Sequence, residues 1–314
     1  MSSLSGFLAY ARAFELAQAS DDFSLLVPCF APDVRHTVEG EAPLGADDRG
    51  REAVIAGLRA SVYAIDRRFD ARIPEVLEGP VLRDGGVWMR FGLRLRRAGL
   101  PDLLLEGEHL TRHDGSGAVL AIEERILADS DRATREYLAR HDAALRPAAS
   151  KPAALRAEDL PLLRDALQRT FVRAYGGAKS EQDVAAALSI CHPGFVIDTI
   201  PFGVTTRDRE DTAAQLAFFF SVFPDYRADT EAVVSDAAGA AWWGEFSMSF
   251  AGPLLGHAPT GRRARLPGFS AFEFRDGLIS RERFYFDLGT LCRQIGLPLG
   301  ELEASLAGLR AAAA

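Results

Sequence analysis

The chain has 314 residues, of which 48% are apolar and 25% charged, so its composition is that of a globular protein with one large or two modest domains. Its formal net charge of −8 argues against nucleic-acid binding and against attraction to an anionic membrane, because both need a basic surface. We therefore expect neither nucleic acid nor a membrane among its partners.

Cysteine usage and the N-terminal segment indicate the compartment. Cys29, Cys191 and Cys292 lie far apart and no C-x-x-C motif occurs, which fits a reducing environment. Arg12 and Glu15 fall within what would have to be the apolar core of a signal peptide, and no apolar run approaches the roughly 18 residues of a membrane span. We expect a cytoplasmic protein.

Residues 1–145 predict an α+β domain that begins with helices. Apolar side chains recur at helical spacing over residues 4–19, and a short helix follows as far as Phe30, before Pro32. Strands and one helix come next, and residues 132–145 predict a last helix. The strand segments are VRHTVEG, FDARIPEVLEG, VWMRFGLRLR, LLLEGEHLTRH and VLAIEERILA, and the helix GREAVIAGLRASVYAI follows the first of them.

A similar order of elements begins again after a linker. Residues 146–157 include Pro147 and Pro152, and we interpret this segment as the linker. A long helix from Leu160, a short helix in SEQDVAAAL, a strand in FVIDTI and a helix over 212–222 follow.

The stretch from Trp242 to Leu297 predicts three consecutive antiparallel strands and a closing helix. Its strand blocks are rich in aromatic and β-favouring residues, and Gly and Pro separate them. We assign residues 158–298 to a second domain and residues 299–314 to a C-terminal helical tail.

Short motifs recur at a nearly constant offset along the chain. The matches are Arg49-Gly-Arg51-Glu52 with Arg207-Asp-Arg209-Glu210 (207 − 49 = 158), Trp88-x-x-Phe91 with Trp243-x-x-Phe246 (243 − 88 = 155), and Glu124-Arg125 and Asp129 with Glu282-Arg283 and Asp287 (287 − 129 = 158). Their common order predicts a duplicated α+β unit.

Four motifs of the second half carry a family resemblance. They are Phe223-Pro224-Asp225-Tyr226, the turn Gly256-x-x-Pro259-Thr260-Gly261-Arg262, the hairpin Phe274-x-Asp276-Gly277-x-Ile279, and Asp287 followed by Gln294-Ile295-Gly296. Together they resemble the SnoaL-like polyketide cyclases of the nuclear transport factor 2-like superfamily, which also includes ketosteroid isomerases, scytalone dehydratases and limonene epoxide hydrolases. The resemblance covers residues 158–298 well, whereas residues 4–145 share it only through element order and the repeat.

The resemblance implies the fold and the organisation of the chain. It implies two tandem cone-shaped α+β domains, each a curved mixed sheet wrapped around N-terminal helices with a pocket at one end. Because the superfamily commonly pairs such cones sheet to sheet, the two halves are expected to form an internal pseudo-dimer, and a homodimer stays open.

Asp287 is the leading catalytic candidate. In the family, the carboxylate at this position is the acid/base that shuttles a substrate proton during an aldol-type ring closure, without a cofactor. Asp287 follows a strand that carries aromatic residues, so an apolar hollow there would raise its pKa by desolvation. The alternative is an Asp that Arg283 neutralises or that caps the helix beginning at Leu288.

Asp198 is the second catalytic candidate. It lies where family members often carry a His, and two carboxylates in one apolar cavity would have pKa values pushed apart, which supplies an acid and a base. The alternative is an Asp that ends its strand through a local turn.

Residues around the three predicted strands are candidates for substrate binding. Strand alternation separates Trp242, Phe246, Met248 and Phe250 from Trp243, so one set is expected to line a hollow while Trp243 faces a partner. The substrate-binding candidates are Trp242, Phe246, Met248, Phe250, Tyr285 and Glu273. Either Tyr285 or Asp198 would hold an oxyanion or enol, and Glu273 lies near where cyclases place an assisting His.

The first half carries its own candidates. Asp129, His36 and Trp88 are interpreted as the counterparts of Asp287, Asp198 and Trp243, so this half is either a second, divergent pocket formed by His36 and Asp129 or a structural partner. We expect no metal site, because His109 and His113 on one strand would stand about 13 Å apart.

The leading hypothesis is thus a cofactor-free cyclase- or isomerase-type enzyme that acts on a small, apolar carbonyl compound through a pocket Asp. The alternatives are a hydratase or epoxide hydrolase built on the same pocket, or a non-catalytic module that binds a hydrophobic ligand or a protein.

Overall fold

The computed structural model describes residues 2–40, 44–148 and 150–313, so Ala149 of the predicted linker and Ala314 of the predicted tail lie outside the described residues. The chain divides into two compact units, unit 1 (Met1–Leu167) and unit 2 (Gln168–Ala314). Each unit contains a six-stranded mixed sheet with its own helices, which confirms the predicted α+β class and the tandem arrangement.

Unit 1 contains three α-helices and six strands in its described part. The helices are α1 (Ser3–Ser20), α2 (Arg51–Ala64) and α3 (Ala128–His141). The strands are β1 (Phe30–Glu39), β2 (Ala46–Arg49), β3 (Ala71–Arg83), β4 (Gly86–Arg96), β5 (Leu103–His113) and β6 (Val119–Ile126). The predicted short second helix is a 3₁₀-helix, Phe23–Cys29.

Unit 2 repeats this plan. Its strands are β7 (Cys191–Thr199), β8 (Val204–Thr205), β9 (Arg227–Asp236), β10 (Gly239–Ser249), β11 (Arg263–Arg275) and β12 (Leu278–Phe286). The helices are α4 (Leu160–Ser180), which begins at the end of unit 1, α5 (Val184–Ser189), α6 (Arg209–Val222), α7 (Leu288–Ile295) and α8 (Leu299–Ala313). None of the helices in the described part of the chain has the length and hydropathy needed to cross a membrane.

Sheet topology confirms the internal repeat. The strand order is β2-β1-β6-β5-β4-β3 in unit 1 and β8-β7-β12-β11-β10-β9 in unit 2. The pairs β1 with β6 and β7 with β12 are parallel, whereas the other described pairs are antiparallel. Both bounds of α2 and α6 differ by 158 (209 − 51 and 222 − 64), as the sequence motifs predicted.

The equivalence between His36 and Asp198 is wrong. Strand register pairs Arg125 with Glu39 in unit 1 and Arg283 with Asp198 in unit 2. Because Arg125 and Arg283 are counterparts in the repeat, Glu39 occupies the position of Asp198.

The match between Trp88 and Trp243 is also wrong. In unit 1 the cross-strand partner of Glu124 is His109, which pairs with Met89. In unit 2 the partner of Glu282 is Phe272, which pairs with Ala240. The offset between β4 and β10 is therefore 151 (240 − 89). It is smaller than the helix offset of 158 because unit 1 has a longer connection after α2 and a longer, irregular strand, β3, than the corresponding β9 of unit 2.

The predicted alternation along β10 is confirmed. Trp242, Phe246 and Met248 are buried, whereas Trp243 is 37% exposed on the opposite face. A register irregularity between Ile279 and Arg281 changes the alternation along β12. As a result, Glu282 and Phe284 are the buried side chains of that strand's second half.

The sequence prediction did not recognise β2, β8 and β9. β8 has only two residues, and most side chains of β9 are at least partly exposed, so neither strand carries a clear apolar pattern. The predicted helices over 132–145 and 212–222 begin earlier than expected, at Ala128 and Arg209.

Candidate functional site

Unit 2 encloses an apolar cavity of about 110 Å³ between its sheet, α6 and the C-terminal α8. Its lining residues are Lys179, Ile197, Thr199, Phe202, Val204, Gln215, Leu216, Phe218, Phe219, Val222, Phe223, Tyr226, Leu254, Leu255, Phe284, Leu302 and Leu306. An apolar protein cavity of about 150 Å³ is large enough to bind benzene, so a ligand with one ring is the right order of size.

Lys179 is the charged residue in this lining. It lies on α4 one helical turn after Tyr175, so both side chains lie on the same helix face, and both reach Glu282 on β12. The Lys179 Nζ donates to Glu282 Oε1 and Oε2, each at 3.2 Å. The Tyr175 hydroxyl donates to Glu282 Oε2 at 2.8 Å, and the Ser270 Oγ donates to Glu282 Oε1 at 2.9 Å.

The pair of Lys179 and Glu282 is buried. Glu282 is 2% exposed and Lys179 is 7% exposed, and aromatic rings of Tyr175 and Phe284 lie 5.1 Å and 5.0 Å from the ammonium nitrogen. Burial, and then the negative charge of Glu282, raise the pKa of Tyr175 well above its ordinary value. Tyr175 therefore stays a neutral hydrogen-bond donor at physiological pH.

A second, smaller cavity of about 20 Å³ lies beside the same pair. Glu282, Ser270 and Trp242 line it, and Lys179, Tyr226 and Phe284 line both cavities. Because one water molecule needs at least about 10–15 Å³ in this measure, the smaller cavity has room for a water next to Glu282.

The other polar side chains of the large cavity are Thr199, Gln215 and Tyr226. The Gln215 Nε2 donates to Thr199 Oγ1 at 3.0 Å, whereas the buried Gln215 Oε1 has no hydrogen-bond partner among the described residues. Burial raises the pKa of Tyr226, so its hydroxyl stays protonated and can donate to a ligand. The cavity thus offers an apolar body with a few polar groups, as ligand sites commonly do.

Asp287 does not lie in a desolvated pocket. It is exposed at the end of β12 and is the N-cap of α7, where its Oδ1 accepts from the Thr290 backbone N–H at 2.5 Å. Hydrogen bonds from Thr290 lower the pKa of Asp287, so the prediction of a pKa raised by burial is wrong and the capping alternative is confirmed. A catalytic role for Asp287 stays a prediction that this position does not favour.

Asp198 is buried but lines neither of these two cavities. It accepts from the Arg281 Nε at 2.6 Å and from the Thr205 hydroxyl at 2.8 Å. Burial by itself would raise the pKa of Asp198, but the hydrogen bonds from Arg281 and Thr205 outweigh burial and lower it. Since Asp287 is exposed, the predicted cavity with two coupled carboxylates is wrong.

The predicted substrate-binding residues separate into three groups. Trp242 lines the smaller cavity, and its Nε1 donates to Thr230 Oγ1 at 2.8 Å. Phe246, Met248 and Phe250 are buried, but they line neither of the two cavities. Two further candidates, Tyr285 and Glu273, are wrong as pocket residues: Tyr285 is 38% exposed, and the Glu273 carboxylate is 45% exposed and pairs with Arg283.

In unit 1, the predicted pocket of His36 and Asp129 is wrong. His36 is 2% exposed, and its Nδ1 lies 3.5 Å from Asp48 Oδ2. The Asp129 side chain is 91% exposed and pairs with Arg132. A buried ring and a fully solvated carboxylate cannot line one enclosed pocket.

Unit 1 contains a buried polar contact that sequence reasoning missed. The His109 Nδ1 lies 2.9 Å from Glu124 Oε1, and the His109 ring stacks on Tyr10 with centroids 6.1 Å apart. Glu124 is the counterpart of Glu282 in the repeat, so both units place a carboxylate at this position of the sheet.

Lys179 and Glu282 were not among the predicted site residues. A signal for Glu282 was present, because Glu124 and Glu282 belong to one of the repeat motifs. Lys179 lies on a helix about 100 residues earlier in the chain, and only the packing of α4 against β12 brings the two together. No cluster of three or more His, Cys, Asp or Glu side chains suited to a metal ion occurs in the part of the chain that the structure describes.

Comparison with known proteins yields one family match. Residues 168–295 match the SnoaL-like polyketide cyclase family. No curated protein is significantly similar to the chain.

Two similar solved structures each cover less than half of this chain. One, from Jannaschia sp. CCS1 and provisionally assigned as a SnoaL-like polyketide cyclase, shares 20% identity, with 43% of this chain and 94% of that chain covered and a TM-score of 0.40. Another, TsrD from Streptomyces laurentii, shares 22% identity, with 46% and 100% covered and a TM-score of 0.38. By the family match, residues 168–295 are similar in sequence to the SnoaL-like polyketide cyclase family.

Proposed function

We propose that unit 2 is a cofactor-free enzyme of the cyclase or isomerase type that acts on a small, largely apolar carbonyl compound. The family match supports this general type of function. The observation that carries the proposal is the position of Lys179, which lines the apolar cavity. Its ammonium group donates a hydrogen bond to Glu282, which lies outside that cavity.

The apolar lining binds the body of the substrate, and Lys179 interacts with the carbonyl oxygen. When a proton leaves the carbon next to a carbonyl group, negative charge develops on the oxygen, and a preorganised cation in a dry site stabilises that charge strongly. The Gln215 and Tyr226 side chains at the cavity wall are further hydrogen-bonding groups for the substrate.

Glu282 is the proton acceptor in this proposal, in place of Asp287. Its carboxylate oxygens lie 3.2 Å from the Lys179 Nζ, and the smaller cavity beside it has room for one water that can carry the proton. A carboxylate with three hydrogen-bond donors around it is also held in one orientation, as an acid/base group must be.

The test is exchange of the α-hydrogens of cyclohexanone in D₂O, followed by proton NMR with the full chain as catalyst. Glu282→Gln keeps the shape of the side chain and is expected to lower the exchange rate about 10²- to 10⁴-fold, the usual contribution of a general acid/base. Asp287→Asn keeps the helix cap and is the matched control, for which we expect an unchanged rate.

The opposite result, exchange lost in Asp287→Asn and kept in Glu282→Gln, would return the catalytic role to Asp287. Cyclohexanone that binds with no exchange above the buffer rate would instead assign a non-catalytic module for hydrophobic ligands.

A further inference from the structure

Lysine is rare in this chain. Only Lys151 and Lys179 are lysines among its 36 basic Lys and Arg residues. Arginine serves even in the interior, where Arg67 is 1% exposed. A guanidinium stays protonated in proteins, whereas a lysine amine can lose a proton and become a nucleophile. Position 179 therefore carries a side chain whose chemistry arginine cannot supply.

The surroundings of Lys179 combine a desolvated amine with a neighbouring acid/base group. Its side chain is desolvated between the rings of Tyr175 and Phe284, and it lines a cavity of ring size. Lysines in hydrophobic pockets form Schiff bases with carbonyl compounds, provided that a nearby group takes and returns protons. Glu282 is such a group, because both of its oxygens are within hydrogen-bond distance of the Lys179 Nζ.

We propose that Lys179 forms a Schiff base with the carbonyl carbon of an aldehyde or ketone bound in the large cavity of unit 2. This inference rests on the proposed function, since it requires a carbonyl compound in that cavity. It adds a covalent step in which Lys179 is a catalytic residue as well as a charged hydrogen-bond donor.

Lys179 and Glu282 together supply and accept every proton that moves in this step. The Lys179 ammonium gives one proton to Glu282, and the free amine forms a C–N bond with the carbonyl carbon while the C=O π electrons move to oxygen. The oxygen takes the proton from Glu282 and becomes a hydroxyl group. The nitrogen of the new C–N bond then gives a second proton to Glu282. That second proton leaves with the hydroxyl group as water, which leaves a protonated imine on Lys179 and an ionised Glu282.

The protonated imine makes the next step easier. It withdraws electrons from the neighbouring carbon more strongly than a carbonyl does. An α-proton can therefore pass to Glu282 through a water in the smaller cavity, which leaves an enamine. The enamine carbon can form a C–C bond with a second carbonyl carbon of the same molecule, whose π electrons move to its oxygen, and that oxygen takes the proton from Glu282. Water then adds to the protonated imine, which releases the ring-closed carbonyl product and restores the Lys179 ammonium. Substrates of this class carry two carbonyl groups within reach of each other.

Reductive trapping tests the covalent step. The full chain is treated with benzaldehyde and sodium cyanoborohydride, which reduces a protonated imine to a stable benzylamine, and the modified residue is located by mass spectrometry of peptides. We expect one benzyl group per chain, at Lys179. Lys151 and the terminal amine are the other amines of the chain and report background labelling.

Two variants control the assignment. Lys179→Arg keeps the positive charge and the hydrogen bonds to Glu282 but cannot form an imine, so complete loss of the specific adduct is expected. Lys151→Arg is the matched control and should label like the unchanged chain. Circular dichroism of both variants checks that they are folded.

Binding of benzaldehyde without the reductant, followed by ligand-detected NMR, separates this inference from the proposed function. Binding with no more label at Lys179 than at Lys151 would overturn the Schiff base and leave the proposed function in place. Absence of binding, together with absence of cyclohexanone exchange, would overturn both.

Discussion

At the residue scale, the pair of Lys179 and Glu282 is unusual because both charges are buried. Removing two charges from water costs several kcal/mol per ion, and replacing such a pair by apolar residues is often neutral or stabilising. Stability alone is therefore a weak reason for this pair to exist. A chemical role is a better account, since a charged group in the wall of an apolar cavity is placed to act on a bound ligand.

Asp287 lies in a motif that fits two roles, a catalytic acid/base and a helix N-cap. Its place after β12 follows from sequence, and so does its suitability as an N-cap. Whether a carboxylate at that place faces a cavity or solvent depends on how the strand end meets the rest of the unit. Here the side chain turns toward the Thr290 backbone N–H and solvent.

Asp66 in unit 1 gives a pH-dependent prediction. Burial is the main cause that raises the pKa of Asp66 from an ordinary 3.8 to about 6. The positive charge of Arg72, whose Nε lies 3.6 Å from Asp66 Oδ2, opposes this shift. The folded chain therefore binds more protons than the unfolded chain between about pH 4 and pH 6, so this group lowers stability as pH rises through that window.

We expect Asp66→Asn to remove this loss. The variant should match the unchanged chain below about pH 4 and be more stable than it at pH 7.5, by about 3 kcal/mol at most from the size of the shift. Urea unfolding of both chains at several pH values measures the difference. A difference that does not change with pH would show that Asp66 is not protonated preferentially in the folded chain.

At the element scale, α8 completes the cavity of unit 2. Leu302 and Leu306 are buried one helical turn apart and line the cavity, so this helix is part of the site although it lies outside the family match. A hydrogen-bonding contact of 3.0 Å between His257 Nε2 and Ser305 Oγ ties the same helix to the turn after β10.

The contribution of α8 can be tested with Leu306→Phe. The larger ring is expected to occupy part of the cavity of about 110 Å³ and to raise the dissociation constant of cyclohexanone about tenfold, which corresponds to about 1.4 kcal/mol. Leu299→Phe at the exposed start of the same helix is the matched control. Calorimetric titration measures both, and equal affinities in the two variants would place the ligand elsewhere.

At the scale of the whole molecule, the two units share a plan but differ in their polar interiors. Both keep a Glu on the strand that pairs with the first strand, at Glu124 and Glu282. Glu124 contacts His109, whereas Glu282 contacts Lys179, Tyr175 and Ser270. The sheet-to-sheet pairing of the units and a partner for Trp243 stay predictions.

We expect residues 158–314 to fold alone and to keep the exchange activity. Every described strand pairing lies within one sheet, and a domain of about 150 residues buries about 68–70% of its unfolded surface, enough for its own core. Cooperative thermal unfolding and cyclohexanone exchange of the fragment, compared with the full chain, measure this. A fragment that folds cooperatively but has lost exchange would show that unit 1 contributes to the site.

Much of the fold was predictable from local pattern. The repeat offset of 158, the three strands after Trp242 and the helix after Asp287 depend on side-chain periodicity and capping, which act over a few residues. β8 and β9 were not predicted because short or largely exposed strands show little apolar periodicity.

The sequence by itself determined the duplicated α+β plan, the SnoaL-like resemblance of the second half and the aromatic composition of β10 to β12. Only the tertiary structure decided which acid is desolvated, because burial of a side chain depends on strand register and on helices distant in sequence. The register irregularity in β12 directs Glu282 inward, and α4 supplies Lys179 and Tyr175 from more than 100 residues away. Asp287 belongs to the stronger sequence motif but stays exposed to solvent. Its side chain caps α7 by accepting a hydrogen bond from the Thr290 backbone N–H.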